Sequence, residues 1–170
     1  VAVSTAGDMN RDGYDDVVIG LPDVTGGNGS VYLFTGTPTG LTEAPAQIFA
    51  GDQAGSLFGA AVSSAGDVNN DGYADILVGA PRYVAGDSIR RGAAFVIFGS
   101  DIKLPAVQQP VTIDAPRSED SESPANDEIE EFGWEVADAG DVNNDGYSDL
   151  LIHSVIQIGK AVEGRVFLYL

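Results

Sequence analysis

The sequence predicts an all-β protein made of about three propeller blades, each a sheet of four antiparallel strands. One acidic decapeptide occurs three times, and the apolar residues around each copy form short runs rich in Val, Ile, Phe and Tyr, bounded by Gly, Pro and Asn. Runs of this composition are typical of strands, and no segment has a helical period. A repeating unit of about 60 residues with four such strands is typical of a propeller blade.

The three copies of the decapeptide define the repeat. They read GDMNRDGYDD at 7–16, GDVNNDGYAD at 66–75 and GDVNNDGYSD at 140–149. A catalytic site is normally written once, so a loop repeated in this way indicates one structural unit used again. The alignment divides the chain into three units: residues 1–57, residues 58–131 with an extra acidic segment at 117–131, and residues 132–170.

The strands are predicted most clearly in the second unit. One strand enters the acidic loop at 60–65, one leaves it at 75–79, and one follows the next turn at 92–98. A weaker fourth strand is expected at 110–116, and its counterpart in the first unit at 46–51. By the same register, the first unit lacks the residues that precede its first strand, and the third unit stops after its third strand. Because closed propellers have four to eight blades, we expect these blades to form part of a larger ring, or to find their missing edges in another copy of the chain.

The charge of the chain limits its partners. It carries 26 acidic residues against 8 Lys and Arg, for a net charge of −18. Such a chain repels nucleic-acid backbones and anionic membranes and favours divalent cations, so we expect no nucleic-acid partner. The apolar runs are too short to span a bilayer, so we expect no membrane insertion. The absence of cysteine excludes a disulfide framework and a thiolate metal site.

Each decapeptide places oxygen ligands at alternate positions around a glycine. Counted from its first Asp, carboxylates or amides fall at positions 1, 3, 5 and 9, the Gly at position 6 permits a sharp turn, and the Tyr carbonyl at position 7 can point inward. Calcium takes six to eight such oxygens at about 2.3–2.6 Å. We therefore expect about three Ca²⁺ ions, structural rather than catalytic, held by Asp8, Asn10, Asp12, Tyr14 and Asp16; by Asp67, Asn69, Asp71, Tyr73 and Asp75; and by Asp141, Asn143, Asp145, Tyr147 and Asp149.

Two other interpretations of the decapeptide fit less well. An EF-hand loop needs a bidentate Glu at position 12 and flanking helices, but position 12 is Ile19, Val78 or Ile152, each inside a predicted strand. Asn-Asp-Gly also makes an ordinary hairpin turn. A turn alone would not require the acid at position 9 in every copy.

The repeat resembles a known family. FG at 58–59 and 132–133, AGD before each loop, the D-x-N-x-D-G-x-x-D loop and GAP at 79–81 together resemble the FG-GAP repeat of integrin alpha-chain β-propellers. The residues around these motifs look more like bacterial extracellular FG-GAP proteins than an animal integrin. Two copies depart from the pattern, with GLP at 20–22 and HSV at 153–155, and the second departure puts in doubt the tight turn that GAP supplies.

The resemblance implies a propeller, usually seven-bladed, with calcium loops on its lower face and ligand-binding loops on its upper face. The expected function is a calcium-binding extracellular module for protein binding or cell adhesion, without enzymatic activity. Its partner would be a protein or cell-surface ligand on the face opposite the calcium loops. One alternative is an accessory propeller of an extracellular, phospholipase D-like hydrolase, whose catalytic residues would lie outside residues 1–170. A purely structural stalk is a third.

A few residues outside the repeat pattern could carry chemistry. His153 is the only histidine, and we expect a tolerated residue at a strand end rather than a catalyst, although a Ser-His-Asp site would have to use it. Trp134 is expected in the core or lining the channel. The acidic segment at 117–131 would lie on the upper face, and we favour a solvated loop over a ligand-binding surface. The same holds for three nearby arginines, Arg82, Arg90 and Arg91.

Overall fold

A computed structural model of the chain describes residues 1–84, 91–101, 110–116, 128–158 and 160–170. All regular structure in these residues is β, and no helix among them is long and apolar enough to span a bilayer. The all-β prediction is therefore confirmed. The strands are β1 Ala2–Gly7, β2 Asp16–Leu21, β3 Ser30–Phe34, β4 Gly36–Thr37, β5 Gly40–Leu41, β6 Gln47–Ala50, β7 Ala61–Gly66, β8 Asp75–Ala80, β9 Ala93–Ile97, β10 Val111–Asp114, β11 Glu128–Gly140, β12 Asp149–Ile158 and β13 Ala161–Tyr169.

The strands form three antiparallel blades. Blade 1 has the order β1-β2-β3-β6, blade 2 the order β7-β8-β9-β10 and blade 3 the order β11-β12-β13, while β4 and β5 form a separate two-stranded ribbon. The predicted strands of the second unit correspond to β7, β8, β9 and β10, and the fourth strand predicted in the first unit corresponds to β6. The unit boundaries at 57/58 and 131/132 stay a prediction.

The core lies between the blades. Strand β8 is buried on both faces, because blade 2 is packed between the other two: Ile76 and Val78 face blade 1, and Leu77 faces blade 3. This is the alternation expected of a strand whose successive side chains point to opposite faces. The cluster between blades 1 and 2 includes Val18, Leu33, Val62, Ile76, Val78 and Phe95. The cluster between blades 2 and 3 includes Leu77, Val96, Phe132, Leu150 and Ile152.

The FG and GAP motifs meet at the joints between blades. Phe132 is fully buried and pairs through an isolated parallel bridge with Gly92 of blade 2. The next residue, Gly133, has φ +83°, and its carbonyl lies so close to Gly79 of the GAP motif that a Cβ on Gly79 would overlap it. The two motifs are thus the two sides of one contact between neighbouring blades. The joint between blades 1 and 2 has the same arrangement. Phe58 pairs with Gly29 through a parallel bridge, and a Cβ on Gly20 would overlap the carbonyl of Gly59.

Blade 3 departs from the other two where HSV replaces GAP. Strand β8 ends at Ala80, before Pro81, whereas β12 continues to Ile158 and pairs with β11 and β13 along its length. Without the proline, no residue stops the strand, so the doubt about a tight turn here is borne out. His153 lies inside β12 rather than at a strand end, which corrects that part of the prediction.

Most of the extra acidic segment lies outside the described residues. Its last residues, 128–131, begin β11 and pair with residues 155–158 of β12. Residues 128–131 therefore belong to a paired strand, whereas a solvated loop was predicted for the whole segment. Nothing in the sequence of 117–131 has the alternation of a strand, because acids occupy neighbouring positions.

Candidate metal centres

The three decapeptides fold into three closely similar loops between the first and second strands of their blades. Loops 1, 2 and 3 are residues 8–16, 67–75 and 141–149, and their residues are numbered here as positions 1 to 9. Each loop follows a bulge in the first strand at a left-handed glycine: Gly7, Gly66 and Gly140, with φ of +67°, +66° and +66°. The glycine at position 6 is also left-handed, with φ of +91°, +87° and +95°, which explains why it occurs in every copy.

The polar side chains of each loop hold its backbone. In loop 2, Asp67 accepts hydrogen bonds from the N–H groups of Asp71 at 3.0 Å and Gly72 at 2.7 Å. Asn69 Oδ1 accepts from the N–H of Asp71 at 3.0 Å, and Asp71 accepts from the N–H of Tyr73 and from Asn69 Nδ2, both at 2.9 Å. Loops 1 and 3 repeat every one of these bonds at 2.9–3.1 Å.

The acid at position 9 is buried and connects the loop to the third strand of its blade. Asp75 is 0 % exposed and accepts from the N–H of Val68 at 2.9 Å and from the N–H of Gly99 at 2.8 Å. Gly99 is the second residue after the end of β9. This is why a turn alone does not account for the acid at position 9. In loop 1, Asp16 accepts the two equivalent hydrogen bonds, from the N–H groups of Met9 and Gly36.

The glycines that donate to position 9 were not among the predicted site residues. A signal for them exists, because LFTG at 33–36 and VIFG at 96–99 end the third strands of the first two units in the same way. In loop 3, Asp149 accepts from the N–H of Val142 at 2.8 Å, and its Oδ1 is buried without a hydrogen-bond partner in the described part of the chain.

Burial raises the pKa of the position 9 acids of loops 1 and 2, Asp16 and Asp75. It raises the pKa of Asp75 from 3.8 to about 6; the hydrogen bonds from Gly99 and Val68 oppose this, and the nearby carboxylates of loop 2 add to it. Burial likewise raises the pKa of Asp16. In both loops the carboxylates at positions 1 and 5 are close enough to repel the buried charge. A cation in the loop would relieve this repulsion.

The raised pKa of Asp75 predicts a pH dependence of the calcium-free chain. Its stabilising contribution is present below pH 3.8 and is lost as the pH rises through about 6, because the folded state binds the proton more tightly than the unfolded state. The loss is up to about 3 kcal/mol. Urea unfolding between pH 4 and 7.5 in chelator measures it, with Asp75→Asn as the control. An unchanged pH dependence in Asp75→Asn would contradict the assignment.

Neighbouring loops are hydrogen-bonded to each other. The N–H of Ala74 in loop 2 donates to the carbonyl of Asp8 in loop 1 at 3.1 Å. The N–H of Ser148 in loop 3 donates to the carbonyl of Asp67 in loop 2 at 3.0 Å, and the N–H of Asp67 donates to Ser148 Oγ at 3.2 Å. The three loops therefore form one row along one edge of the blades.

The donor chemistry of each loop fits a hard divalent cation. Among the described residues no group of three or more His, Asp or Glu side chains converges as a metal cluster. The loop carboxylates instead accept hydrogen bonds from backbone N–H groups of their own loop. Each carboxylate or amide oxygen can still accept a second partner, so these bonds do not exhaust the donor set. Three carboxylates, one amide oxygen and one carbonyl per loop match calcium in type, and these five groups supply six or more oxygens when a carboxylate binds through both of its oxygens or water completes the shell.

The opposite end of the blades carries charged contacts. Arg82 Nε lies 3.4 Å from Glu131 Oε1, which joins the GAP turn of blade 2 to β11. Tyr83 Oη donates to Asp52 at 3.4 Å. These contacts agree with local pairing of charges at this end. Arg90 and residues 117–127 lie outside the described residues.

An open, largely apolar cavity of about 690 Å³ lies along the inner strands and one face of blade 3. Trp134, Leu151, His153 and Val166 line it together with small residues of β1 and β7. Trp134 is 43 % exposed, so it lines a cavity and is not a core residue. His153 Nδ1 lies 3.6 Å from Glu135 Oε2, beyond hydrogen-bonding distance, and it has no hydrogen-bond partner among the described residues.

The FG-GAP-like repeat family matches residues 6–78, which include loops 1 and 2 and the joint between blades 1 and 2. This chain contains FG-GAP repeats. Loop 3 and the FG at 132–133 continue the same pattern beyond the matched range.

Curated relatives of the FG-GAP chain fall into two kinds. It is 39 % identical to integrin alpha-6 of Gallus gallus over 80 residues and 38 % identical to integrin alpha-PS3 of Drosophila melanogaster over 87 residues; these alignments cover 46 % and 48 % of the chain and 7 % and 8 % of the relatives. It is 34 % identical to phosphatidylinositol-glycan-specific phospholipase D of Bos taurus over 161 residues, which is 88 % of the chain and 18 % of that protein. The chain thus spans less than a fifth of each relative.

Proposed function

We propose that this chain is a calcium-stabilised, extracellular β-propeller module that binds a protein or cell-surface ligand and has no catalytic activity. The observation that carries the proposal is the row of three equivalent loops, each with a buried acid at position 9 beside two further carboxylates. Such an arrangement accumulates negative charge that a bound cation would neutralise. The integrin relatives support an adhesion role for the module.

Each calcium ion would be held by the side chains at positions 1, 3, 5 and 9 and by the carbonyl at position 7. The ion supplies charge neutralisation and a fixed point for the loop. Residues of the chain do the rest: the left-handed glycines turn the backbone, and the position 9 acid anchors the loop to the third strand where Gly36 or Gly99 follows it. We infer a structural role because each loop only connects two strands of one blade.

The ligand surface is proposed at the end of the blades opposite the loops. The Arg82–Glu131 pair lies there, beside the turn that follows β8. Connections between rigid strands commonly carry binding residues. The strong negative charge of the chain argues against nucleic acid as the ligand.

A thermal melt across a calcium titration tests the proposal. Saturating Ca²⁺ should raise the melting temperature, because a ligand at 100 times its Kd stabilises by about 2.7 kcal/mol per site. Mg²⁺ should raise it far less, because it demands near-ideal octahedral geometry and gives up its water reluctantly. About three ions should bind per chain by calorimetry. Asp12→Asn should weaken the response, whereas Asp15→Asn, an equal charge change at position 8 of the same loop, should leave it intact. A melt that ignores calcium would overturn the proposal.

A second candidate is an accessory propeller of a hydrolase. One observation favours it: the phospholipase D alignment covers 88 % of the chain, across all three blades, whereas the integrin alignments cover less than half. The sequence of the gene on either side distinguishes the two. An adjoining hydrolase domain would favour the accessory role, and further blades alone would favour adhesion.

A further inference from the structure

One loop residue departs from the repeat in a way that its backbone does not favour. Position 4 is left-handed in all three loops, with φ of +56° at Arg11, +56° at Asn70 and +61° at Asn144. Asn tolerates this conformation, whereas a long side chain such as Arg rarely adopts it. Two copies have the favourable residue and loop 1 has Arg. Its side chain therefore has to be accounted for by what it contacts.

The side chain of Arg11 crosses to the neighbouring blade. Its Nη1 donates to the carbonyl of Asp71 at 3.3 Å, and its Cζ lies 5.0 Å from the centre of the Tyr73 ring. A Cβ on Gly72 would come within 2.5 Å of Arg11 Nη2, so the guanidinium lies over the glycine turn of loop 2. Arg11 thus touches positions 5, 6 and 7 of a loop that is not its own.

The equivalent contact between loops 2 and 3 has no charge. Asn70 approaches Gly146, where its Nδ2 would lie 3.6 Å from an added Cβ, but among the described residues its side chain makes no hydrogen bond to loop 3. Loops 2 and 3 have the same residues at positions 1, 3, 5, 6, 7 and 9. They differ at position 8 and in the donor to the position 9 acid, which is Gly99 for Asp75 and absent for Asp149 Oδ1 among the described residues. They also differ in whether a guanidinium from the preceding blade lies on them.

We propose that Arg11 is a positioning residue that acts across the joint between blades: it orders loop 2 in the absence of calcium and makes loop 2 a weaker calcium site than loop 3. The hydrogen bond and the ring contact hold the turn at Gly72. The guanidinium also repels an incoming divalent ion. At about 6–10 Å in a water-like dielectric, one charge acting on a divalent ion changes such an equilibrium by roughly four- to tenfold, and salt reduces the effect further. The affinity difference rests on the proposed calcium sites; the ordering of loop 2 does not.

A calcium titration followed by amide NMR separates the loops. The N–H of the position 6 glycine donates to the position 1 carboxylate in each loop, so Gly13, Gly72 and Gly146 each report on their own loop. We expect the Gly72 signal to respond at roughly two- to tenfold higher calcium than the Gly146 signal. Arg11→Asn should tighten loop 2 alone and leave the calcium response of loop 3 unchanged. Asn70→Arg, which places the same side chain over loop 3, should weaken loop 3 alone.

Asn144→Arg is the matched control, since it adds the same residue at position 4 of loop 3 itself. Weakening of loop 3 by Asn144→Arg equal to that by Asn70→Arg would overturn the proposal, because contact across the joint would then be unnecessary. A response of Gly13 as large as that of Gly72 in Arg11→Asn would also overturn it, since the effect would be local to loop 1. Stronger weakening of loop 3 by Asn70→Arg than by Asn144→Arg, together with a larger response of Gly72 than of Gly13 in Arg11→Asn, supports the proposal.

Hydrogen exchange in chelator tests the ordering role separately. The Gly72 amide should exchange faster in Arg11→Asn than in the original chain, while Gly146 stays unchanged. If no loop responded to calcium, the proposed function would fail, and this exchange measurement would still decide the role of Arg11. Unchanged protection of Gly72 would overturn the proposal.

Discussion

Phe132→Ala should lower the free energy of unfolding by about 3–5 kcal/mol. The Phe132 side chain is fully buried between blades 2 and 3 and packs edge-to-face on Phe167 at 5.5 Å and on Tyr169 at 6.5 Å between ring centres. Alanine would leave a cavity at the joint and remove both ring contacts, which add to the loss from burial alone. Equilibrium unfolding in urea, followed by circular dichroism, measures the change.

Trp134→Ala is the control for this effect, because Trp134 is two residues away in the same strand and 43 % exposed. It should cost about 1 kcal/mol or less. Equal losses for the two variants would mean that the joint does not depend on its buried phenylalanine.

Gly79→Ala should destabilise the chain by about 3 kcal/mol or more, although it adds one methyl group. The backbone of Gly79 is one that any residue can adopt, so the cost is steric: the new Cβ would overlap the carbonyl of Gly133 in blade 3. Backbone on both sides of the contact cannot rotate away, so the two blades would have to separate. Thermal unfolding is the measurement.

The repeat supplies its own controls for this substitution. Gly20→Ala, at the same place in blade 1, should destabilise by a similar amount because its Cβ would overlap the carbonyl of Gly59. His153→Ala, at the same place in blade 3, should have little effect, since that face already carries a side chain. Wild-type stability of Gly79→Ala would refute the account of the FG-GAP joint.

The sequence predicted the strands best where the repeat and the turn residues agreed. Strands β7, β8 and β9 lie within one residue of their predicted bounds, because Gly, Pro and Asn delimit them and the other units confirm the alignment. The extension of β11 and β12 was not predictable in this way. No glycine or proline marks residues 153–155, and the acids at 128–131 are atypical of a strand.

Only part of the candidate site could be predicted from the sequence. Spacing along one loop identified oxygen-bearing side chains that the structure places together at one turn, with the acid at position 9 buried below them. Contacts from other elements were missed, above all the N–H groups of Gly36 and Gly99 and the side chain of Arg11. Sequence spacing within one loop contains no information about which residues of other strands or other blades contact that loop.

The histidine on the outer face of blade 3 makes that face different from the other two. Gly20 and Gly79 leave room for the carbonyl of the next FG motif, but the His153 imidazole fills the corresponding place and lies over Gly164, 2.9 Å from where a Cβ there would be. A copy of blade 2 grafted onto this face would therefore collide with it. The blades are therefore not interchangeable, because the residue at the position of Gly20, Gly79 and His153 decides whether the FG motif of a following blade can pack there. In a chain with reordered repeats, two blades should pack together only where this residue is glycine.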